Sequence, residues 1–599
     1  MDNQRNILLA FGLSAVLLLG WSFAMEYFYP NANLPESAQV QPQAQTQAQA
    51  NSTGATGAAG TTTATGDLPG GVALASGPVD MSTALADPRR VVIDTPRLAG
   101  SINLVGARVD DIVFKDYRET VDKDSGPVRM FAPARSDNQY FAEFGFSVDG
   151  AQMPTNVVWQ ADGERLTPST PVALTRTDAK GITYTIRFSI DEDYMISAEQ
   201  EVRNTSESPA VIRPFALIDR TSTTATRDEF TIHSGPVGVF GGTLYDPHNY
   251  DELAELGRDI PEGAASWLGF TDRYWHSALI PGEGEVESAG FRSLGNEMFR
   301  TAITYNDKVV PVGGTLTQST RLFAGAKDSI ILDQYEDSGI THFGKAVSWG
   351  WFEWFEKPML WLLRTLNGLV GNFGVAIILL TVIVRALMFP IAQKGFASMA
   401  AMKAIQPKMK AVQERYKDDK QQQQQEIMKL YKQEGVNPLA GCLPMVLQIP
   451  VFFALYKVLM LAIEMRHEPF IGFWIKDLSA PDPWTVLNLF GLLPFEVPGF
   501  LGIGVLAILL GITMWLTFKL NPSAMDPMQQ QIFNIMPWIL MFVMAPFAAG
   551  LLLYWVTSNL LTLAQQSYLY SKHPQLKAQA AKDRAEMAKK AEREKANKA

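Results

Sequence analysis

The sequence predicts a polytopic α-helical membrane protein with six transmembrane helices, both termini inside, and a large extracytoplasmic β-sandwich. Three observations predict it. Apolar runs long enough to cross a bilayer occur at the extreme N-terminus and again beyond residue 370. Between them lie short segments of alternating polar and apolar residues, separated by turn residues. The connections between the apolar runs differ in charge as an oriented membrane protein requires. The 599-residue chain has a net charge of −10 and 47% hydrophobic residues, but both values average unlike parts. Residues 30–350 hold about 25 Lys/Arg against about 42 Asp/Glu, whereas the tail from 571 holds about nine against about four.

Residues 1–28 are read as an N-terminal transmembrane anchor. "ILLAFGLSAVLLLGWSFAM" (7–25) is apolar for about 19 residues, and Arg5 precedes it. A cleaved signal peptide is the rival, but the run exceeds the usual ~7–15 residues and no clear A-x-A site follows. Residues 29–86 form a linker, because "QVQPQAQTQAQANSTGATGAAGTTTATGDLPGG" has almost no large apolar side chains to offset ordering entropy. Residues 87–345 form the β-sandwich. "RRVVIDT", "GSINLVGARVDDIVF", "GITYTIRFSID" and "YMISAEQEVRN" alternate, and Asp149-Gly150 and Asp162-Gly163 mark turns.

Residues 348–372, "SWGWFEWFEKPMLWLLRTLNGLVGN", mix tryptophan and phenylalanine with Glu353, Glu356, Lys357 and Arg364. This suits an amphipathic helix at the membrane interface; a helix packed onto the sandwich is the alternative. Residues 373–570 hold five further spans, at 373–392, 438–463, 501–518, 535–549 and 550–569, the last two joined by a tight turn between Pro546 and Gly550. The 393–436 connection has about nine Lys/Arg and about five acids, and the 464–500 connection about two and about five, which puts the first inside and the second outside.

The 393–436 loop reads as an antiparallel helical hairpin. Met399, Met402, Ile405, Met409, Val412 and Tyr416 recur at helical spacing, and "QQQQQEIMKLYKQEG", with Met428, supplies the second helix. Methionines Met399, Met402, Met409 and Met428 suit an adaptable surface for apolar client segments; an ordinary hairpin seam is the alternative. The basic tail, 571–599, suits ribosomal RNA or anionic lipid.

Arg385 interrupts the second span. A charge there costs roughly 2.5–3.5 kcal/mol on insertion scales. Thr381 lies one turn before it, and Gln448, Tyr554, Ser558, Asn559, Gln565 and Gln566 add polar groups in later spans. Polar groups in a membrane turn inward, so these residues predict a wet cavity with Arg385 as its fixed charge. Snorkelling to the headgroups is the alternative, since Arg385 lies about 12 residues, or roughly 18 Å, from the outer end of its span.

No catalytic, metal or cofactor site is expected. There is one cysteine, Cys442, the six histidines are scattered, and no GxxxxGK[ST] occurs.

Five blocks in order carry a family resemblance: "GNFGVAIILLTVIVRALMFPI", "IQPKMKAVQERYKDDKQQQQQEIMKLYKQEGVNPLAGCLPMVLQIPVFFALYKVL", "EPFIGFWIKDLSAPDPW", "DPMQQQIFNIMPWILMF" and "PFAAGLLLYWVTSNLLTLAQQ". Together they resemble the YidC/Oxa/Alb family of membrane protein insertases, in its Gram-negative layout. The resemblance implies a bacterial inner-membrane protein that inserts and helps fold integral membrane proteins, alone or with the Sec translocon (SecYEG, SecDF). It implies nascent membrane proteins, the ribosome and membrane lipids as partners. It also implies a periplasmic β-supersandwich similar to sugar mutarotases. Arg385 would be the groove arginine with Thr381 its neighbour, and Tyr554 and Trp555 the paired aromatic positions. Many relatives carry two tyrosines there, so Trp555 departs from the pattern. The segment 488–504 is longer than in familiar relatives and reads as re-entrant or amphipathic.

Two other functions compete. A small-anion transporter or channel would use Arg385 as its site, but no internal repeat is found. An anchored carbohydrate-active enzyme would use sandwich carboxylates, but no acid–base pair emerges from the sequence.

Overall fold

A computed structural model describes residues 79–122, 124–226, 232–417, 419–435, 443–493, 502–520 and 527–572. The expected anchor at 1–28, nearly all of the linker and the tail beyond 572 lie outside the described residues.

Strands from Arg90–Asp94 to Thr315–Ala326 build two sheets, of twelve and nine strands, packed into a sandwich. The pairing is antiparallel except where Arg90–Asp94 runs parallel to Arg165–Leu166. The alternation read in "GITYTIRFSI" becomes burial directly. Ile182, Tyr184, Ile186, Phe188 and Ile190 face the core, while Arg187 and Ser189 face out. Strands Tyr140–Val148 and Ala210–Thr221, at the centre of the larger sheet, are buried on both faces over much of their length. Their second face carries a small apolar cluster, Phe141, Phe215, Leu217 and Ala302. Beside it lie matched charges, with Arg300 gripping Asp219 through bonds of 2.6 and 2.7 Å and Arg108 bonded to Glu143 at 2.7 Å.

Among the described residues seven α-helices follow the sandwich region: α1 Glu353–Val370, α2 Phe373–Arg415, α3 Lys420–Gln433, α4 Leu443–Leu461, α5 Val505–Leu520, α6 Pro527–Met544 and α7 Ala549–Lys572. In α1 one face, Glu356, Met359, Leu360, Leu363 and Leu366, is buried, while Trp354 and Trp361 are exposed at 69% and 66%. The exposed tryptophans leave one face of α1 uncovered by the described residues.

Two expectations change. The second span ends at Gly395, close to the expected 392, but its helix does not end there. It continues as one 43-residue helix, α2, into the first arm of the hairpin. Pro390 removes one backbone donor, but its φ is compatible with a helix, and the ladder on either side carries the helix past it. The six-span count also does not follow from helix length. Among the described residues only Phe373–Gly395 is long and apolar enough to cross a membrane, whereas Val446–Leu461, Val505–Lys519 and Asn534–Met544 are shorter. The apolar runs in the sequence included flanking turns that are not helical. The tight turn between α6 and α7, over residues 545–548, is as expected.

The sandwich is bonded to the helices. Arg273, on the turn between strands Ala265–Thr271 and Trp275–Pro281, donates from Nε to the Met460 carbonyl at the end of α4 (2.7 Å). Tyr274 bonds Ser479 (3.3 Å), Lys457 of α4 donates to the Ser348 carbonyl (2.9 Å), and Arg364 of α1 bonds Glu464. Arg273 thereby satisfies a carbonyl that a helix C-terminus leaves without a partner.

His276 lies at the centre of the sandwich. It is wholly buried among Trp267, Phe323 and Phe343, with ring centroids 5.2–5.8 Å away, and its Nδ1 meets the Phe270 carbonyl at 3.1 Å. Burial pushes its pKa down to about 3. The unfolded chain therefore binds a proton that the folded chain refuses as pH falls below the ordinary value of about 6.5. Sandwich stability should be intact above that value and should fall progressively from there down to about pH 3. His276→Phe should flatten the slope of melting temperature against pH over this window; an unchanged slope would assign the acid sensitivity elsewhere.

Candidate functional site

The polar groups of the helices converge on one region. Arg385 sits twelve residues into α2, half-buried, and reaches across to α7, where its Nε donates to Ser558 Oγ at 3.0 Å and its Nη2 reaches the same oxygen. Among the described residues no carboxylate pairs with it. Ser558 is 2% exposed, so the guanidinium is held by protein. On α7, Tyr554, Ser558, Thr562 and Gln566 recur at i+4 and share one face. Gln448 of α4 donates from Nε2 to the Tyr554 hydroxyl, closing a polar strip over three helices. The side-chain oxygens of Gln448 and Gln566 are buried without a partner.

The end of the bundle nearest the sandwich is built differently. Ala376, Ile377, Leu380, Leu455, Val458, Leu459, Leu551 and Leu552 are fully buried there. A Cβ on Gly550 would come within 2.9 Å of Leu459 Cδ2 and 3.2 Å of Ile377 Cδ1, and Phe470 lies so close over Gly374 that a Cβ would fall 2.2 Å from its ring. Asn372 caps α2 by accepting from Val375 N (3.0 Å) and donates to the Phe470 carbonyl (3.1 Å). Ala549 and Gly550 donate to the carbonyls of Ala480 and Leu478 at 2.8 and 2.9 Å, which ties the start of α7 to the same loop. The bundle is therefore apolar and tightly packed toward the sandwich, and polar toward the hairpin.

Comparison with known proteins decides the family. The YidC periplasmic domain family matches residues 90–362, and the 60Kd inner membrane protein family matches residues 365–577. Membrane protein insertase YidC of Rhizobium johnstonii is 41% identical over 580 residues, covering 96% of each chain. The chain belongs to the YidC family. Membrane protein insertase YidC of Nitrobacter hamburgensis is 44% identical over 595 residues, covering 95% of each chain. A crystal structure of active YidC insertase with its first transmembrane domain resolved covers 81% of this chain and 93% of its own at 17% identity, with a TM-score of 0.35.

Set within this YidC-family core, the predicted residues divide into three groups. Arg385, Gln448, Tyr554 and Ser558 come together as described. Thr381 is fully buried on the same helix, but its hydroxyl donates to the Ile377 carbonyl at 2.7 Å and not toward Arg385. Asn559 turns away to α5, where its Nδ2 donates to Thr513 Oγ1 at 3.2 Å, and Trp555 packs edge-on against Phe452 of α4 at 5.0 Å. In the hairpin, Met409 is buried with Ile405 and Leu430 and receives the Tyr431 hydroxyl at 3.1 Å, so it belongs to the seam; Met428 is 58% exposed. The side chains of Met399 and Met402 lie outside the described ones.

Two polar residues escaped the sequence reading. Thr513 was legible only as one of two hydroxyls, with Thr517, in an apolar run, and Thr562 as the next step of the Tyr554–Ser558 spacing.

Ser558→Ala should leave the Arg385 guanidinium without its protein acceptor. A hydrogen bond to a charged group contributes about 1.5–3 kcal/mol, so the variant should melt measurably lower in detergent. Thr513→Ala, which removes a neutral partner, should cost less, about 0.5–1.5 kcal/mol. Equal losses would mean that Ser558 does not carry the charge.

Proposed function

We propose that this protein is an inner-membrane insertase that moves polar flanks of new membrane proteins out of the cytoplasm while their apolar helices pass into lipid. The carrying observation is the pairing of the Arg385–Ser558 and Gln448–Tyr554 contacts with an apolar, tightly packed end toward the sandwich. The barrier to such movement is desolvation of polar and charged groups in hydrocarbon. A polar groove entered from the hairpin side shortens the dry path. Arg385 attracts acidic or polar client segments, and the unpartnered oxygens of Gln448 and Gln566 accept hydrogen bonds that a client or water brings. No covalent step is required.

In this reading the anchor at 7–25 and helices α2, α4, α5, α6 and α7 make six spans, with both termini and the 393–436 hairpin in the cytoplasm and the sandwich in the periplasm. Met428, with Met399 and Met402, receives clients at the hairpin. The basic tail meets the ribosome or anionic lipid, and the Sec translocon is a partner for part of the work. The insertase names of the relatives support this reading over an anion transporter.

The test is reconstitution of the purified chain in liposomes with short clients. Arg385→Ala should slow insertion of clients with charged translocated flanks by about tenfold, the equivalent of roughly 1.4 kcal/mol, and spare purely apolar ones. Arg385→Lys should be milder, and Thr381→Val should stay near wild type because its hydroxyl serves its own helix. Equal loss on both client types would remove the charge role.

A further inference from the structure

The connection between α4 and α5 holds an ordered apolar surface turned outward. Asp482, 4% exposed, accepts from Trp474 Nε1 (2.7 Å) and Trp484 N (3.0 Å) with one oxygen and from Leu506 N, at the start of α5, with the other (2.8 Å). Asn488, also buried, accepts from the backbone of Thr485 (3.1 Å) and Gly491 (2.9 Å) and donates to the Pro483 carbonyl (3.0 Å). This frame of buried polar groups fixes the loop, yet the large side chains it carries point away from the protein. Leu487, Leu489 and Phe490 are about half exposed and Leu492 is 80% exposed.

The backbone adds a second sign. Leu489 and Phe490 adopt φ of +51° and +59°, a left-handed conformation that bulky side chains avoid. Two consecutive residues are strained in order to present apolar groups outward. In water both the strain and the exposure are unfavourable.

We propose that this loop is an outer-leaflet anchor, with Leu487, Leu489, Phe490 and Leu492 buried among lipid acyl chains. Three features point to lipid. The base of the loop is bonded to the start of α5, with Val505 N donating to the Trp484 carbonyl at 3.1 Å, and Leu509, Ile512 and Leu516 of that helix are also exposed. The sequence has no charged residue between Asp482 and Glu496, so immersion desolvates no charge. Trp474 and Trp484 stack at 5.3 Å at the base of the loop, where amphipathic rings settle at the headgroup level. The anchor would hold the closed end of the groove at a fixed depth, because the same connection carries Phe470 over Gly374.

The inference rests on reading α4 and α5 as spans, and its test separates the two. In the full chain with Cys442→Ser, a single cysteine is placed by Leu492→Cys, by Ile512→Cys or by Val158→Cys on the sandwich. Each is labelled with an environment-sensitive fluorophore in phosphatidylcholine vesicles, with or without brominated acyl chains. The label at 492 should emit to the blue of that at 158 and be quenched several-fold more by bromine than by aqueous iodide. Water-like emission with iodide quenching would overturn the anchor, as would protection from both quenchers, which would mean a protein cover. If the label at 512 also escapes bromine, the spanning reading itself fails.

Discussion

A guanidinium within an apolar helix must be met by something, and in this molecule it is met by a serine on another helix. That one requirement fixes much of the bundle. Arg385 lies more than three turns into α2, and its hydrogen bond to Ser558 sets the rotation of α7 about its own axis. Once Ser558 faces α2, the residues one turn either side, Tyr554 and Thr562, must share that face, and Tyr554 then meets Gln448 of α4. The polar strip follows from a single fixed contact propagated by helical spacing. The apolar residues one or two turns nearer the sandwich close against one another for the same geometric reason, and the result is a core polar at one end and apolar at the other.

The sandwich takes part in the apolar end. Arg273 bonds the last turn of α4, and Arg466 lies over the rings of Tyr274 and Trp275 at 5.9 and 5.5 Å while donating to the Glu119 carbonyl at 3.2 Å. These are directional contacts to backbone carbonyls and aromatic faces, so they fix position as well as proximity. The domain thus rests against the tightly packed end of the bundle through these contacts.

The sequence revealed those features that a local rule controls. Strand alternation in Ile182–Ile190 translates directly into burial, and the turn at 545–548 falls where Pro546 breaks the apolar run. Arg385 was legible because a charge in an apolar run breaks a rule by itself. What escaped depended on which helix stands opposite. Thr381 shares a face with Arg385, yet its hydroxyl is satisfied by the carbonyl four residues back, an option that spacing alone does not exclude. Asn559 and Ser558 are adjacent in sequence but about 100° apart around α7, so one looks to α5 and the other to α2. Met409 fell into the seam because Leu430 and Tyr431 of the facing helix cover it. The span and the hairpin's first arm were read as separate elements, and only the unbroken backbone ladder through Pro390 shows that one helix makes both.

The use of arginine is itself informative. A guanidinium has five donors, and Ser558 accepts from two of its nitrogens through a single oxygen. The remaining donors are free to meet a second acceptor without releasing the first. Lysine also has more than one donor, but all sit on one nitrogen at the end of a flexible stem, so the two partners would not be held in fixed geometry. In the proposed function the charge is therefore both anchored and available. A client segment that offers a carboxylate or carbonyl gains a hydrogen bond at Arg385 without the bundle having to reorganise. The contact is also easily given up, because Ser558 still holds the guanidinium when the client leaves. Transient attraction of this kind suits a groove that must pass each client on and keep none.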